Sequence, residues 1–195
     1  MKYFNNCDLI EVSSLINDKY TFYDHLKGEG KETLKKHTDL VNKYLKKIVN
    51  AKNIDTIFKN YEENCLEDLS EEGKKVFRKL LINIFNFHDI GKINPNFQLR
   101  KMKNDIGNTE IFQDLHTKHS ILSAILYIDY FMSDVEKLDK VSKNIIIEYL
   151  FLNAYVISRH HGGLNGFQKF LDRFSEDTGE EAKACIEIFL NNNID

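Results

Sequence analysis

Only one proline, Pro95, occurs in the 195 residues of the chain, and this scarcity constrains the fold more than any other feature. Proline interrupts helices, whereas the abundant leucine, lysine and glutamate favour them. Apolar residues also recur at helical spacing, as Leu34, Val41 and Leu45 do in a helix predicted from residue 32 to 49. The sequence therefore predicts an all-α helical bundle, and its length favours one domain with a substantial core.

Composition excludes several classes of protein. The net charge of −3 gives no general footprint for nucleic-acid binding, so such binding would depend on local patches or metal ions. The three cysteines, Cys7, Cys65 and Cys185, are far apart and form no CxxC pair, which argues against a disulfide framework and a zinc–thiolate site. The N-terminus lacks the apolar block of a signal peptide, and the most apolar segment, 145–157, is too short to span a bilayer. We expect a cytoplasmic protein with no membrane partner.

Residues 81–92 combine an apolar run with the only adjacent His-Asp pair in the chain, His88-Asp89. Ser70 has the position of a helix N-cap, and the predicted helix ends near His88, where Gly91 suits a helix stop. An imidazole and a carboxylate at the end of a buried, rigid helix form a good joint ligand set for a divalent metal. A two-residue motif is weak evidence alone, so the question is whether the chain supplies more ligands.

Five of the seven histidines lie in or at the ends of predicted apolar helices. They are His37, His88, His119, His160 and His161. One buried histidine usually has an ordinary hydrogen-bond partner, but five of them with Asp89 favour a metal site. The donors include no cysteine, which suits Mn, Fe, Ni, Co, Zn or Mg. Six donors exceed the needs of one catalytic ion, so two ions about 4 Å apart that share one carboxylate fit better.

Two other features are ambiguous. His25 lies in an apparently irregular lead-in, residues 1–30, where a solvated side chain is the simpler interpretation. Arg100, Lys101 and Lys103 form one compact basic cluster near the His-Asp pair, and the sequence does not decide whether they contact a nucleic acid.

Five ordered blocks resemble the HD nuclease domain of type I CRISPR–Cas systems, a branch of the HD phosphohydrolase superfamily. The resemblance covers roughly residues 20–165. The blocks are Glu32-Thr33-Leu34-(x2)-His37, Phe87-His88-Asp89-Ile90-Gly91-Lys92, Phe97-Gln98, His119-Ser120-(x2)-Ser123-Ala124 and His160-His161-Gly162-Gly163-Leu164.

The resemblance implies an HD-domain helical bundle with the metal site at helix ends in the core. It also implies a metal-dependent nuclease that cleaves single-stranded DNA during CRISPR interference, by two-metal phosphodiester hydrolysis. The implied ions are divalent (Mn, Mg, Ni, Co or Fe), two per site. The implied partners are a CRISPR-associated helicase, fused or separate, and a Cascade-type complex.

The resemblance also assigns roles to residues. His37, His88 and Asp89 would hold one ion, and Asp89 would be shared with a second ion. The second ion would be held by three further histidines: His119, His160 and His161. Lys92 would lie near the scissile phosphate and offset charge in the transition state.

The chain departs from the family pattern in one respect. Members carry a further aspartate on a late helix, which completes the shell of the first ion, whereas Asp172, Asp177 and Asp195 do not match that motif. We therefore expect a single HD-type nuclease domain, residues 1–195, which is truncated at its C-terminus, is a fragment of a split protein, or is a variant with a weakened first site. Two alternatives remain open: an HD phosphohydrolase that acts on nucleotides, and an inactive docking module for a helicase.

Overall fold

The computed structural model describes residues 3–4, 9–28, 30–107, 119–163, 166–172, 174 and 176–191. The described elements, in chain order, are α1 (Val12–Leu15), β1 (Tyr23–Lys27), β2 (Gly30–Thr33), α2 (Leu34–Ala51), α3 (Ile54–Cys65), α4 (Glu71–Phe87), a 3₁₀ helix (Ile90–Ile93), α5 (Pro95–Met102), α6 (His119–Glu136), α7 (Lys140–Ser158), α8 (Phe167–Leu171) and α9 (Glu176–Phe189). The predicted helical bundle is confirmed, with one small antiparallel hairpin added to it. Cys7, Leu164 and Asp195, which the sequence analysis named, lie outside the described residues.

Side-chain caps explain where several helices begin. The Ser70 hydroxyl accepts a hydrogen bond from the Gly73 backbone amide and starts α4, as predicted. Asp139 caps α7 in the same way, so this helix begins at Lys140, five residues before the apolar segment 145–157. Pro95 is the first residue of α5 behind the cap of Asn94, a position where its missing N–H costs nothing.

The core lies between α4, α6 and α7, which contact one another along their apolar faces. Tyr127 on α6 is fully buried, and its hydroxyl donates to the Leu80 carbonyl of α4 at 2.8 Å and accepts from the Asn153 side chain of α7 at 3.0 Å. A second apolar cluster joins α2 to α4 through Val49 and Ile82. The helix ends that carry the histidines are thus fixed by these two clusters.

The lead-in is more ordered than the sequence indicated. β1 and β2 pair as an antiparallel hairpin, and Gly28, which follows β1, has a φ of 59°. These strands are too short to show a useful apolar alternation in the sequence, and they contact α5 and α2. No helix among the described residues is long and apolar enough to cross a membrane.

Replacing Glu62 by glutamine is expected to lower the free energy of unfolding by about 1–3 kcal/mol at neutral pH. The buried Glu62 carboxylate accepts hydrogen bonds from Arg78 and from the Tyr3 hydroxyl, the latter at 2.6 Å. Burial alone would raise the pKa of Glu62, but these hydrogen bonds hold it below its ordinary value. The contribution is therefore present at neutral pH and is lost as the pH falls through the lowered pKa.

Urea unfolding at neutral pH and below a pH of about 4 measures this difference. Glu71→Gln, at an exposed carboxylate paired with Lys74, serves as the control and is expected to change little. Equal stabilities of wild type and Glu62→Gln at neutral pH would contradict the assignment.

Candidate metal centre

Four elements bring the six predicted donors together. His37 comes from the first turn of α2, and His88 and Asp89 follow the end of α4. His119 begins α6, and His160 and His161 follow the end of α7. Their donor atoms fall into two groups of possible metal ligands, and Asp89 belongs to both.

The first group surrounds oxygen Oδ1 of Asp89. His119 Nε2 lies 3.0 Å from this oxygen and His160 Nε2 lies 3.2 Å from it. His161 Nε2 lies 3.1 Å from His119 Nε2 and completes the group. The donor atoms of these four residues lie within 4.8 Å of one another.

The second group surrounds the other oxygen, Oδ2. His88 Nε2 lies 3.0 Å from it and His37 Nε2 lies 3.5 Å from it. One carboxylate therefore presents a different oxygen to each set of imidazoles. This arrangement is the one that two adjacent cations with a shared carboxylate require.

Backbone carbonyls fix the tautomers of two rings. His88 Nδ1 lies 2.8 Å from the Phe85 carbonyl oxygen, and His160 Nδ1 lies 2.6 Å from that of Ile157. A carbonyl can only accept, so Nδ1 of each ring carries the proton. In the neutral ring, Nε2 then carries the lone pair on the side that faces Asp89. A histidine that binds a metal needs such a free lone pair.

The surroundings set the protonation of the centre. Burial lowers the pKa of His37 and of His119, against the opposing pull of nearby carboxylates. Burial, followed by the neighbouring His160 and His119, lowers the pKa of His161 to about 4. These imidazoles are neutral at pH 7, and neutral imidazole is the form that binds metals.

Asp89 and His88 form the charged part of the centre. Burial would raise the pKa of Asp89, but the imidazoles of His119, His160 and His88, which face its two oxygens, hold it far below its usual range. Burial would lower the pKa of His88, but its hydrogen bond with Asp89 outweighs this and raises the pKa. The raised pKa of His88 thus favours a proton on this ring, which would compensate the charge of the buried carboxylate.

The donors fit divalent cations. Nε2 atoms of two rings with lowered pKa values face each other across 3.1 Å, where two lone pairs would repel unless a proton or a cation lay between them. The donors are imidazole nitrogens and carboxylate oxygens, which suit Mn, Fe, Co, Ni, Zn or Mg. His37, His88 and Asp89 could hold one ion. The second could be held by a set that includes the same aspartate: Asp89, His119, His160 and His161.

Gly91 lies where α6 crosses the 3₁₀ helix, and its role differs from the predicted helix stop. It does not adopt the positive φ of a C-cap glycine, and α4 ends earlier, at Phe87. A Cβ on Gly91 would lie 2.2 Å from the carbonyl oxygen of His119, and its amide donates to Ser123 Oγ at 2.8 Å. Glycine is needed here because the two backbones touch.

Lys92 is buried beneath the metal centre and does not lie on its exposed side. Its side chain is 2% exposed, and its ammonium lies 3.1 Å from Asp89 Oδ2 and 2.9 Å from Asp24 Oδ1. The expected contact of Lys92 with a scissile phosphate stays a prediction, and this position does not favour it, because the ammonium is buried between two carboxylates.

Sequence reasoning missed two polar residues next to the centre. Asp24 on β1 is buried beside His37 and Lys92, and Gln98 on α5 is completely buried. Gln98 belonged to a recognised block without an assigned role, and Asp24 had no signal because its partners are distant in the chain. The half-exposed His25, interpreted as a solvated loop residue, also faces Asp24, at 2.9 Å.

Of the late aspartates, only Asp172 has a described side chain, and it belongs to none of the possible ligand groups. Asp172 follows α8, where its exposed carboxylate accepts a hydrogen bond from Gln168 of the same helix at 2.9 Å. The side chains of Asp177 and Asp195 lie outside the described residues. The absence of a family-type late aspartate therefore remains a statement about the sequence.

The fold and the centre define a class: a helical domain of the HD type with a histidine–aspartate cluster suited to divalent metals. A family model described as "Cas3, HD domain" matches residues 27–188, which is most of the chain. The chain belongs to this family, the HD nuclease domains of Cas3-type CRISPR proteins, and is a metal-dependent hydrolase by family. The family indicates a CRISPR context and a nucleic-acid substrate. Neither a curated protein nor a solved structure matches the chain.

Proposed function

We propose that the protein is a metal-dependent nuclease that cleaves single-stranded DNA during CRISPR interference. The observation that supports this best is the sharing of Asp89, whose Oδ1 faces His119 and His160 while Oδ2 faces His88 and His37. The proposed partners, a CRISPR-associated helicase, fused or separate, and a Cascade-type complex, follow from the family.

The candidate metal ligands form two sets, one on each side of Asp89. His37 and His88 would hold one ion against Oδ2, and the three remaining histidines would hold the other on the Oδ1 side. Divalent cations in such a pair supply Lewis-acid polarisation of a phosphodiester and balance its developing charge. Hydrogen bonds from His88 and His160 to backbone carbonyls keep these rings oriented before substrate arrives, so little reorganisation is needed.

The exposed side of the centre suits a polymeric substrate. The ring of His161 is exposed, and a Cβ on Gly162 or Gly163 would meet open space. A DNA strand, unlike a small nucleotide, does not need walls on every side, because its neighbouring phosphates and bases extend the contact. This openness supports a nuclease over a nucleotide phosphohydrolase.

Cleavage assays separate these two enzymes. Purified protein with Mn²⁺ or Ni²⁺ is expected to linearise and degrade circular single-stranded DNA and to leave a panel of nucleotides intact. Turnover of nucleotides without cleavage of DNA would replace the nuclease by a phosphohydrolase. No bound metal after dialysis against Mn²⁺, together with no cleavage, would favour the docking module.

Divalent metal is expected to raise the melting temperature of the protein. A ligand that binds only the folded state at 100 times its dissociation constant adds about 2.7 kcal/mol. For a chain of this size this corresponds to a shift of roughly 5–11 °C. Differential scanning fluorimetry with Mn²⁺, and again after addition of EDTA, measures the shift and its reversal. An unchanged melting temperature at saturating Mn²⁺ would contradict a metal centre built into the core.

We also propose that residues 1–195 form a single domain. The two ends of the described chain meet, since the Asn17 amide donates to the Phe189 carbonyl at 2.8 Å and the Asn191 amide donates to the Leu15 carbonyl at 2.8 Å. Limited proteolysis is expected to leave one resistant fragment that retains both α1 and α9. Early separation of α9 as a released fragment would contradict this arrangement.

A further inference from the structure

Asp24 is a buried carboxylate next to the centre for which the proposed reaction has no role so far. It is 1% exposed, on β1, and no hydrogen bond of good geometry reaches either of its oxygens from the described residues. Its burial is offset by charge instead. The Lys92 ammonium lies 2.9 Å from Oδ1, and the rings of His25 and His37 lie 2.9 and 3.2 Å from Oδ2.

The hairpin aims Asp24 at the centre through an irregularity in its pairing. Tyr23 pairs with Thr33 and His25 pairs with Glu32, so Asp24 is the extra residue of a β-bulge. Bulges turn one side chain away from the regular alternation of the strand. Here the turned side chain points beneath α2 towards Lys92 instead of along the face of the strand.

Gln98 fixes the position of this bulge. Its side-chain oxygen accepts from the Tyr23 amide at 3.0 Å, and its side-chain nitrogen donates to the Tyr23 carbonyl at 2.9 Å. The same nitrogen donates to the Lys92 carbonyl at 2.6 Å. One buried amide therefore ties the strand that carries Asp24 to the segment that carries Lys92.

His37 stands between Asp24 and Asp89. Its Nδ1 faces Asp24 Oδ2 at 3.2 Å, and its Nε2 faces Asp89 Oδ2 at 3.5 Å. An anion beside Nδ1 favours the tautomer with the proton on that nitrogen, which leaves the lone pair on Nε2. Carboxylates in this position orient metal-ligating histidines and increase their basicity.

A direct role for Asp24 as a metal ligand is less consistent with the geometry. Asp24, His25 and His37 do lie close enough to form a ligand group. However, a divalent cation there would lie beside the buried ammonium of Lys92 and would compete for Nδ1 of His37. The like charge of Lys92 makes that position unfavourable in an interior where screening is weak.

We propose that Asp24 is a positioning residue. Its buried carboxylate balances the charge of Lys92 and holds the His37 ring so that Nε2 is directed at the ion that His37 and Asp89 would both bind. This inference depends on the proposed function, because it concerns the first of the two proposed ions. It gives Lys92 a structural role beneath the centre. It also assigns a function to the hydrogen bonds by which Gln98 joins the Tyr23 backbone to the Lys92 carbonyl.

The test compares Mn²⁺ binding to wild type, Asp24→Asn and Asp39→Asn by calorimetric titration. Asp39 lies on the same helix as His37 but is solvent-exposed, so its variant makes the same chemical change away from the centre. In Asp24→Asn one of two binding steps is expected to weaken about 10–100-fold, with the stoichiometry unchanged, while Asp39→Asn matches wild type. Unchanged affinity of both steps in Asp24→Asn, or complete loss of one ion, would overturn the positioning role.

A second measurement does not depend on whether Asp24→Asn folds. Nitrogen-15 NMR of metal-free wild-type protein at neutral pH, with His37 assigned by comparison with His37→Gln, reports which ring nitrogen carries the proton. A proton on Nδ1 is expected, and a proton on Nε2 would overturn the inference. Wild-type protein that binds no second ion or does not cleave DNA would instead contradict the proposed function, so the two failures are distinguishable.

Discussion

Replacing Asp89 by asparagine is expected to reduce cleavage of single-stranded DNA by at least about 1,000-fold, because each cation contributes several kcal/mol and each 1.36 kcal/mol is tenfold in rate. The carboxylate is 3% exposed and faces four imidazoles and the ammonium of Lys92. An amide retains the shape, but it loses the negative charge and replaces one oxygen with an NH2 group that does not bind a cation. Both ions should therefore be affected, whereas the loss of one histidine would weaken only one.

Initial rates on circular single-stranded DNA, with circular dichroism to verify folding, measure this effect. Asp39→Asn is again the matched control, because its carboxylate is exposed and its pairing with Lys35 at 3.5 Å is a surface ion pair of little energetic weight. Asp89→Asn with a rate within tenfold of wild type would rule out a shared carboxylate at the reacting centre.

Replacing Gly91 by alanine is expected to destabilise the fold by about 3 kcal/mol or more and to abolish cleavage. The added methyl group would lie 2.2 Å from the His119 carbonyl oxygen and 2.7 Å from the Ser123 amide nitrogen. Backbone atoms cannot rotate away as a side chain can. The 3₁₀ helix and α6 would have to separate, and His119 would move away from Asp89.

Denaturant unfolding and the same DNA assay measure both effects. Gly162→Ala is the control, because a methyl group there meets nothing within 4 Å although the residue directly follows His161. Its stability and activity are expected to remain close to those of wild type. A Gly91→Ala protein as stable and active as wild type would mean that the two backbones are not in contact.

Local signals in the sequence were sufficient for the main helices and for placing the six candidate donors at or near helix ends. The Ser70 cap and the apolar spacing of residues 71–87 predict where α4 begins and ends. His88 and Asp89 directly follow this helix, so they were predicted to lie together at the end of a core helix. The remaining donors also lie at helix ends. The position of a residue along its helix largely determines the end of the bundle at which it lies. Their assignment as ligands stays a prediction until a metal is measured.

The contacts beneath the centre could not be predicted because they join residues distant in the chain. Asp24 meets Lys92 across 68 positions, and the amide of Gln98 meets the Tyr23 backbone across 75. A two-stranded hairpin with a bulge carries too few alternating residues to be recognised as strands. Gly91 was predicted to be a helix stop, but only the packing of α6 shows that close backbone contact requires a glycine at this position.

The sharpest test of a carboxylate shared by two ions is the number of Mn²⁺ ions bound per chain, measured by calorimetric titration of wild type, His161→Ala and Asp89→Ala. The geometry around Asp89 predicts two ions in wild type. One binding step should be lost or strongly weakened in His161→Ala. Both binding steps should be lost or strongly weakened in Asp89→Ala. A single ion in wild type, or two undiminished binding steps without Asp89, would contradict the two-ion centre.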